Sequence, residues 1–192
     1  VRRARPAAIA TALVVLIAGC SGKNAVDQSA GGQFRFVSGT SLGKVIPAAD
    51  RKKAGAFTDE LLDGGTYRLA DQAGKVVVIN FWATWCGPCT TETPQFDAVY
   101  RANQAKGVTF LGVDTKETSR DAARAFVHDN AITYPIVWDE PGQTAVALGK
   151  VPALSLPFTV LVDRQQRVAA VYLHVLTAKD LQPVVDTLAA ES

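Results

Sequence analysis

Methionine is absent from this sequence, histidine occurs twice and cysteine three times. Each scarcity excludes something. A zinc centre takes three or four nitrogen, sulfur or oxygen ligands. His128 and His174 lie far from one another and from the cysteines along the chain, so no metal site is read. Net charge is scarce as well, at +2. Arg2, Arg3 and Arg5 are the only charges before residue 20, and without them seventeen basic side chains face eighteen acidic ones. So neutral a chain has no strong field for a polyanion, and a nucleic-acid role is excluded. Long apolar runs are missing too. The run from Ala7 to Ala18 is too short to cross the roughly 30 Å of a bilayer core as a helix. With no methionine present, Val1 is read as an alternative start codon translated literally.

What is present at the N-terminus has the order of an export signal: basic residues, an apolar stretch, then small residues before a cysteine. Leu16-Ile17-Ala18-Gly19-Cys20 resembles the lipobox of bacterial lipoproteins, and Ser21-Gly22 follows it. The resemblance implies cleavage before Cys20 and a diacylglyceryl group on that residue. Residues 1–19 are therefore expected to be a lipoprotein signal peptide. Residues 20–32 are expected to be the lipidated cysteine and a flexible tether, whose small polar residues reach on the order of 20 Å. With Cys20 assigned to lipid, Cys86 and Cys89 remain as a pair. A bridge closing so short a loop adds little stability, so the pair is better suited to chemistry than to bracing.

Residues 33–65 form an N-terminal extension. Phe34, Phe36 and Val37 alternate as in a strand, and Arg51-Lys52-Lys53 reads as part of a solvated loop. From Thr66 to the end the pattern is that of one domain. Val76-Val77-Val78-Ile79-Asn80-Phe81-Trp82 is a continuous β-branched and aromatic run, expected of a strand buried on both faces. A helix interrupted by Pro94 is predicted over 86–105, and a strand from Val108 to Val113. A helix over 119–130 carries Ala122, Phe126 and Val127 on one face. A short strand at 136–138, a helical stretch at 142–148, strands at 158–162 and 168–173 and a helix over 178–190 follow. Strands alternating with helices, then a late hairpin, argue for an α/β fold with a central mixed sheet flanked by helices.

The chemistry concentrates in Phe81-Trp82-Ala83-Thr84-Trp85-Cys86-Gly87-Pro88-Cys89. A buried strand ends and a Cys-x-x-Cys opens a helix. The thiolate is the nucleophilic form of cysteine, and free N–H groups at a helix N-terminus stabilise it. A stabilisation of up to about 2 kcal/mol lowers a thiol pKa by roughly 1.5 units. Cys86, at the exposed helix start, is the expected nucleophile, and Cys89, one turn in and shielded, the resolving thiol. Pro88 is tolerated because the first helical turn does not use its missing N–H.

These residues resemble the thioredoxin superfamily, and more closely its TlpA/ResA-like branch of membrane-anchored bacterial proteins. The resemblance covers roughly residues 66–190. It is carried by Asn80 to Cys89, by Thr90-Thr91-Glu92-Thr93-Pro94, by Leu156-Pro157-Phe158-Thr159-Val160-Leu161-Val162-Asp163, and by a segment from Val108 to Trp138 similar to the branch's insertion. It implies that Pro157 is a cis-proline facing the disulfide where substrate docks, and that Glu92 lies near the cysteines and adjusts their pKa. It places Asn80 where ordinary thioredoxins carry a buried Asp, which leaves Glu92 as the proton acceptor. Trp85, Gly87, Pro88 and Leu156 are the expected substrate-facing residues. Leu156 and Phe158 depart from the commoner residues of the motif, which touches substrate preference rather than class.

The expected activity is thiol–disulfide exchange with no cofactor beyond the Cys86–Cys89 pair. The Gly-Pro between the cysteines is the thioredoxin dipeptide and leans toward a reductase. The resemblance implies reduction of the Cys-x-x-Cys-His thiols of apocytochrome c on the outer face of the membrane, with a CcdA-like thiol transporter supplying electrons. The alternatives are an oxidase of secreted proteins, a thiol peroxidase, and a non-catalytic binding lipoprotein. The peroxidase is disfavoured because no Pro-x-x-x-Thr-x-x-Cys surrounds Cys86.

Overall fold

The strand predicted from Val76 to Trp82 is the middle strand of the main sheet. The computed structural model describes residues 44–149 and 155–191; Cys20, the tether and the Phe34–Val37 alternation lie outside them. β3 (Val76–Trp82) is buried at every position. It runs parallel to β4 (Val108–Thr115) and antiparallel to β6 (Phe158–Val162). β5 (Ile136–Asp139) lies parallel to β4, and β7 (Val168–Tyr172) antiparallel to β6, giving the order β5-β4-β3-β6-β7. This is the mixed α/β sheet expected.

Alternation along β3 divides the core in two. Val76, Val78 and Trp82 face one cluster with Phe96 and Val99 of α1 (Gly87–Asn103), Ala123 of α2 (Arg120–Asp129) and Leu181, Val185 and Leu188 of α4 (Ala178–Ala190). Val77, Ile79 and Phe81 face the other, with Ala145 and Leu148 of α3 (Thr144–Gly149), Ile46 and Phe57 of the extension, and Tyr67 and Leu69 just after it. Phe81 stacks on Phe158 with ring centroids 4.1 Å apart. Burying side chains of this size stabilises the fold by roughly 1.5–3 kcal/mol each. Gly112 on β4 leaves room for the Trp82 indole: a Cβ there would lie 2.5 Å from Ile136 Cδ1 and 3.0 Å from Trp82 Nε1.

Two expectations are corrected, and the structure adds a hairpin within and after the extension. Pro94 does not divide α1, which is one continuous helix with the proline inside it; Phe96 and Val99 beyond it are buried and hold that part of the helix on the sheet. The segment before Thr66 is not only loop. It contains β1 (Thr58–Glu60), antiparallel to β2 (Thr66–Arg68), and attaches to the β5 edge through a Leu61–Val137 bridge and a Leu62 N–H donated to Ile136 O at 2.8 Å. Arg51 is not solvated: its side chain is only 1% exposed. It donates to Ile46 O, Asp163 and Glu191, tying the extension to the β6–β7 turn and to the end of α4. Among the described residues no helix is long and apolar enough to cross a membrane.

Removing one partner of a buried ion pair strands the other charge. Arg51→Ala is therefore expected to lower the unfolding free energy by roughly 3 kcal/mol in urea titrations. A loss under about 0.5 kcal/mol, the scale of a surface substitution, would show that this network does not bear on stability.

Candidate active site

β3 hands its last residue to a short turn, and Cys86 then caps α1 with extended backbone, φ −86° and ψ 98°. The Cys86 sulfur accepts the Cys89 N–H at 3.3 Å, so the helix terminus directs a backbone donor at it. Cys86 and Cys89 are joined by a disulfide with their Cα atoms 5.2 Å apart. Cys86 is less open than expected, at 5% exposure against 0% for Cys89. The sulfur is folded inward by its bond to Cys89, while Trp85, Gly87 and Pro88 around it are exposed. The Leu156–Pro157 peptide is cis. Pro157 is buried, and the half-buried Leu156 packs against the cluster that contains both cysteines.

Glu92 follows Cys89 by three residues on α1, which puts the two on one helix face with Cβ atoms roughly 5–6 Å apart. It is fully buried rather than solvated. Its Oε1 accepts the Leu176 N–H at 2.6 Å, and its Oε2 accepts from Asn80 Nδ2 at 2.9 Å. Burial pushes its carboxyl up to about 7 in spite of these two donors. Asn80 Nδ2 also donates to Thr159 Oγ1 at 3.2 Å, linking Glu92 to the strand that begins after Pro157.

Two further carboxyls lie at and just beyond the end of β4. Glu117 accepts from the Thr84 N–H at 3.1 Å, from the Thr84 hydroxyl, and from the N–H groups of Thr118 and Ser119. Burial opposes its ionisation, but the bonds from Thr84, Ser119 and Thr118 outweigh it and hold the carboxyl below the usual range. Glu117 thus clamps the turn that carries Cys86. Asp114, beside Trp82 in the β3–β4 register, is fully buried and neither of its oxygens has a partner among the described residues. Burial, and then the Glu117 charge, raises it to about 8. The exposed Trp85 ring is fixed by its Nε1–H, donated to Lys116 O at 3.1 Å. His128 and His174 are both exposed, the latter edge-on to Tyr172.

A disulfide capping a helix next to an exposed tryptophan, with a buried acid one turn behind it and a cis-proline at the entry of β6, the strand paired with β3, is an arrangement suited to thiol exchange. The model of the AhpC/TSA family matches residues 51–171. The chain belongs to this thioredoxin-like family. It is 34% identical over 127 residues to the thiol-disulfide oxidoreductase ResA of Geobacillus thermodenitrificans, covering 66% of this chain and 71% of that protein. A secreted thiol-disulfide isomerase from Corynebacterium glutamicum superposes with a TM-score of 0.76 at 36% identity, over 84% of this chain and all of that one. A DsbF homologue from Corynebacterium diphtheriae gives 0.74 at 37%, over 82% and 100%. This member of the family is a thiol–disulfide oxidoreductase with a thioredoxin-like fold.

Of the residues singled out from the sequence, the structure brings Cys86, Cys89, Glu92, Trp85, Gly87 and Pro88 together at the start of α1, with Leu156 packed against the cysteines' cluster and Pro157 following it. Cys20 lies outside the described residues. Glu117, Asp114 and Leu176 were missed. Leu176 acts through its backbone, and Glu117 through bonds to a turn 33 residues away, neither of which leaves a sequence signal. Asp114 left one: a lone acid directly after the apolar run Val108–Val113.

Between about pH 4 and pH 8 Asp114 holds a proton in the folded protein and has lost it in the unfolded chain. The folded state binds the extra proton, so stability falls as pH rises through this window. Glu92 acts with the same sign up to about pH 7. Asp114→Asn, neutral at every pH, is expected to make this fall shallower in urea midpoints followed across the window. An unchanged slope would mean that Asp114 is ionised in the folded protein.

Proposed function

We propose that this protein is a lipid-anchored, extracytoplasmic reductase of protein disulfides, and that its substrate is the Cys-x-x-Cys-His segment of apocytochrome c during cytochrome c maturation. The observation that carries it is the Cys86–Cys89 pair at the N-terminus of α1 with Glu92 buried one turn behind. The thioredoxin-like Gly-Pro between the cysteines and the 34% identity to ResA proteins support the reducing direction. The lipobox-like ending at Cys20 supports the anchor, and the likeness to a secreted isomerase supports a place outside the cytoplasm.

The reduced pair works in two exchanges. The Cys86 thiolate attacks one sulfur of the substrate disulfide; an S–S bond forms to Cys86, and the other substrate sulfur leaves as a thiolate that takes up a proton. Cys89 then gives its proton to Glu92 and attacks Cys86. The Cys86–Cys89 bond forms, the mixed disulfide breaks, and the second substrate sulfur leaves to be protonated in turn. Two electrons have moved from the pair to the substrate. A membrane thiol transporter of the CcdA type restores the dithiol, and no other cofactor takes part. Trp85, Gly87, Pro88, Leu156 and cis-Pro157 form the docking face.

Exchange at such a pair runs in either direction, and the likeness to a secreted isomerase favours one second reading, an oxidase of secreted proteins. The potential of the pair separates the two. A value near the −270 mV or so of thioredoxin is expected, and one near the −120 mV or so of a strong oxidant would transfer the assignment to the oxidase. Cys86→Ser is expected to abolish insulin reduction. Cys89→Ser in cells is expected to hold an apocytochrome c as a mixed disulfide on Cys86; recovery of unrelated secreted proteins alone would remove the cytochrome role.

A further inference from the structure

The two oxygens of Glu92 are held by groups of different capability. Oε1 accepts a backbone N–H, that of Leu176, at 2.6 Å, and a backbone N–H can only donate. A proton gained by Glu92 therefore belongs on Oε2, because on Oε1 it would meet the Leu176 hydrogen. Oε2 faces Asn80 Nδ2 at 2.9 Å, where an added proton sets donor against donor. Asn80 is fully buried, and its Oδ1 has no partner among the described residues. Half a turn about the last side-chain bond, a soft two-fold torsion, brings this acceptor to Oε2. Thr159 Oγ1, 3.2 Å from the same Nδ2, is a hydroxyl that can accept before the turn and donate after it.

We propose that Asn80 is a positioning residue that reverses its side-chain amide when Glu92 gains a proton, and that this passes the protonation state to Thr159, two residues beyond Pro157. The proposal rests on the function given above, in which Glu92 takes the proton of the resolving thiol. An amide offers a donor to the ionised carboxylate and an acceptor to the protonated acid; an ionised aspartate offers acceptors only. The rise of the Glu92 pKa to about 7 places both states within reach of neutral pH. The other groups around Glu92 do not compete for this role. Cys89 and Asp97 share its helix, and the Tyr134 hydroxyl is engaged with Thr93 O at 3.4 Å. Leu176 N has only its donor, and His174, on the same loop, is exposed. Among the described residues Asn80 alone touches Oε2 with a group of either sense. The protonation state of Glu92 is thereby read at the strand entry where substrate docks.

The test is side-chain amide NMR of the full chain with labelled asparagine and threonine, on both sides of the Glu92 titration. The Asn80 amide hydrogens are expected to show cross-peaks to Thr159 at high pH and to lose them at low pH, with the midpoint of the Glu92 carboxyl carbon. Glu92→Gln sharpens the test. The Leu176 N–H selects the glutamine oxygen, so its NH₂ faces Asn80 and holds the amide reversed at all pH. Cross-peaks from Asn80 to Thr159 that persist through the wild-type titration would overturn the proposal, and the wild-type titration decides alone if Glu92→Gln does not fold. If that happened in a protein that still reduces insulin, the function would stand and only the reversal fall. A protein inert toward insulin, with the reversal present, would undo the function instead.

Discussion

A strand buried on both faces must end where its last backbone groups find other partners, and β3 ends against the N-terminus of α1. Everything at the site depends on this junction. The sheet fixes where the turn from Ala83 to Trp85 begins, α1 fixes where Cys86 points, and the Glu117 carboxylate fixes the turn between them through Thr84. Cys86 is thus placed by two rigid elements and a charge-assisted clamp, with no long loop to order.

The electrostatics of the junction pull in opposite directions. The helix terminus favours a thiolate at Cys86. Behind it lie three acids in different states: Glu117 ionised and well satisfied, Asp114 neutral at pH 7, and Glu92 between the two. Burial without partners keeps Asp114 uncharged, and burial with two donors leaves Glu92 near neutrality. Glu92 is balanced where a thiol proton can be exchanged at physiological pH, and it is the acid placed one turn from Cys89.

Most of the architecture was legible in the sequence because the strands are buried on both faces and the helices carry apolar stripes. Val76–Trp82 and the closing helix from Ala178 to Ala190 were readable from composition and period alone. The disulfide pair was readable because cysteine is so rare here. What escaped was long-range. Arg51 reads as one of three consecutive cations, and only the fold brings Asp163 and Glu191 to it. β1 and β2 have three residues each and no apolar period of their own; the β5 edge makes them strands. The break expected at Pro94 failed because packing beyond it outweighs one lost hydrogen bond.

The tether on Trp85 has a consequence for how such a surface diversifies. Its acceptor is the main-chain oxygen of Lys116, a residue with φ +56°. Any side chain that tolerates this left-handed backbone, asparagine, aspartate or glycine among them, keeps the indole in place. The charge beside this exposed aromatic can therefore pass from cationic to neutral to anionic without disturbing the ring, so the electrostatics next to Cys86 can change at a single position while the shape of the surface is kept.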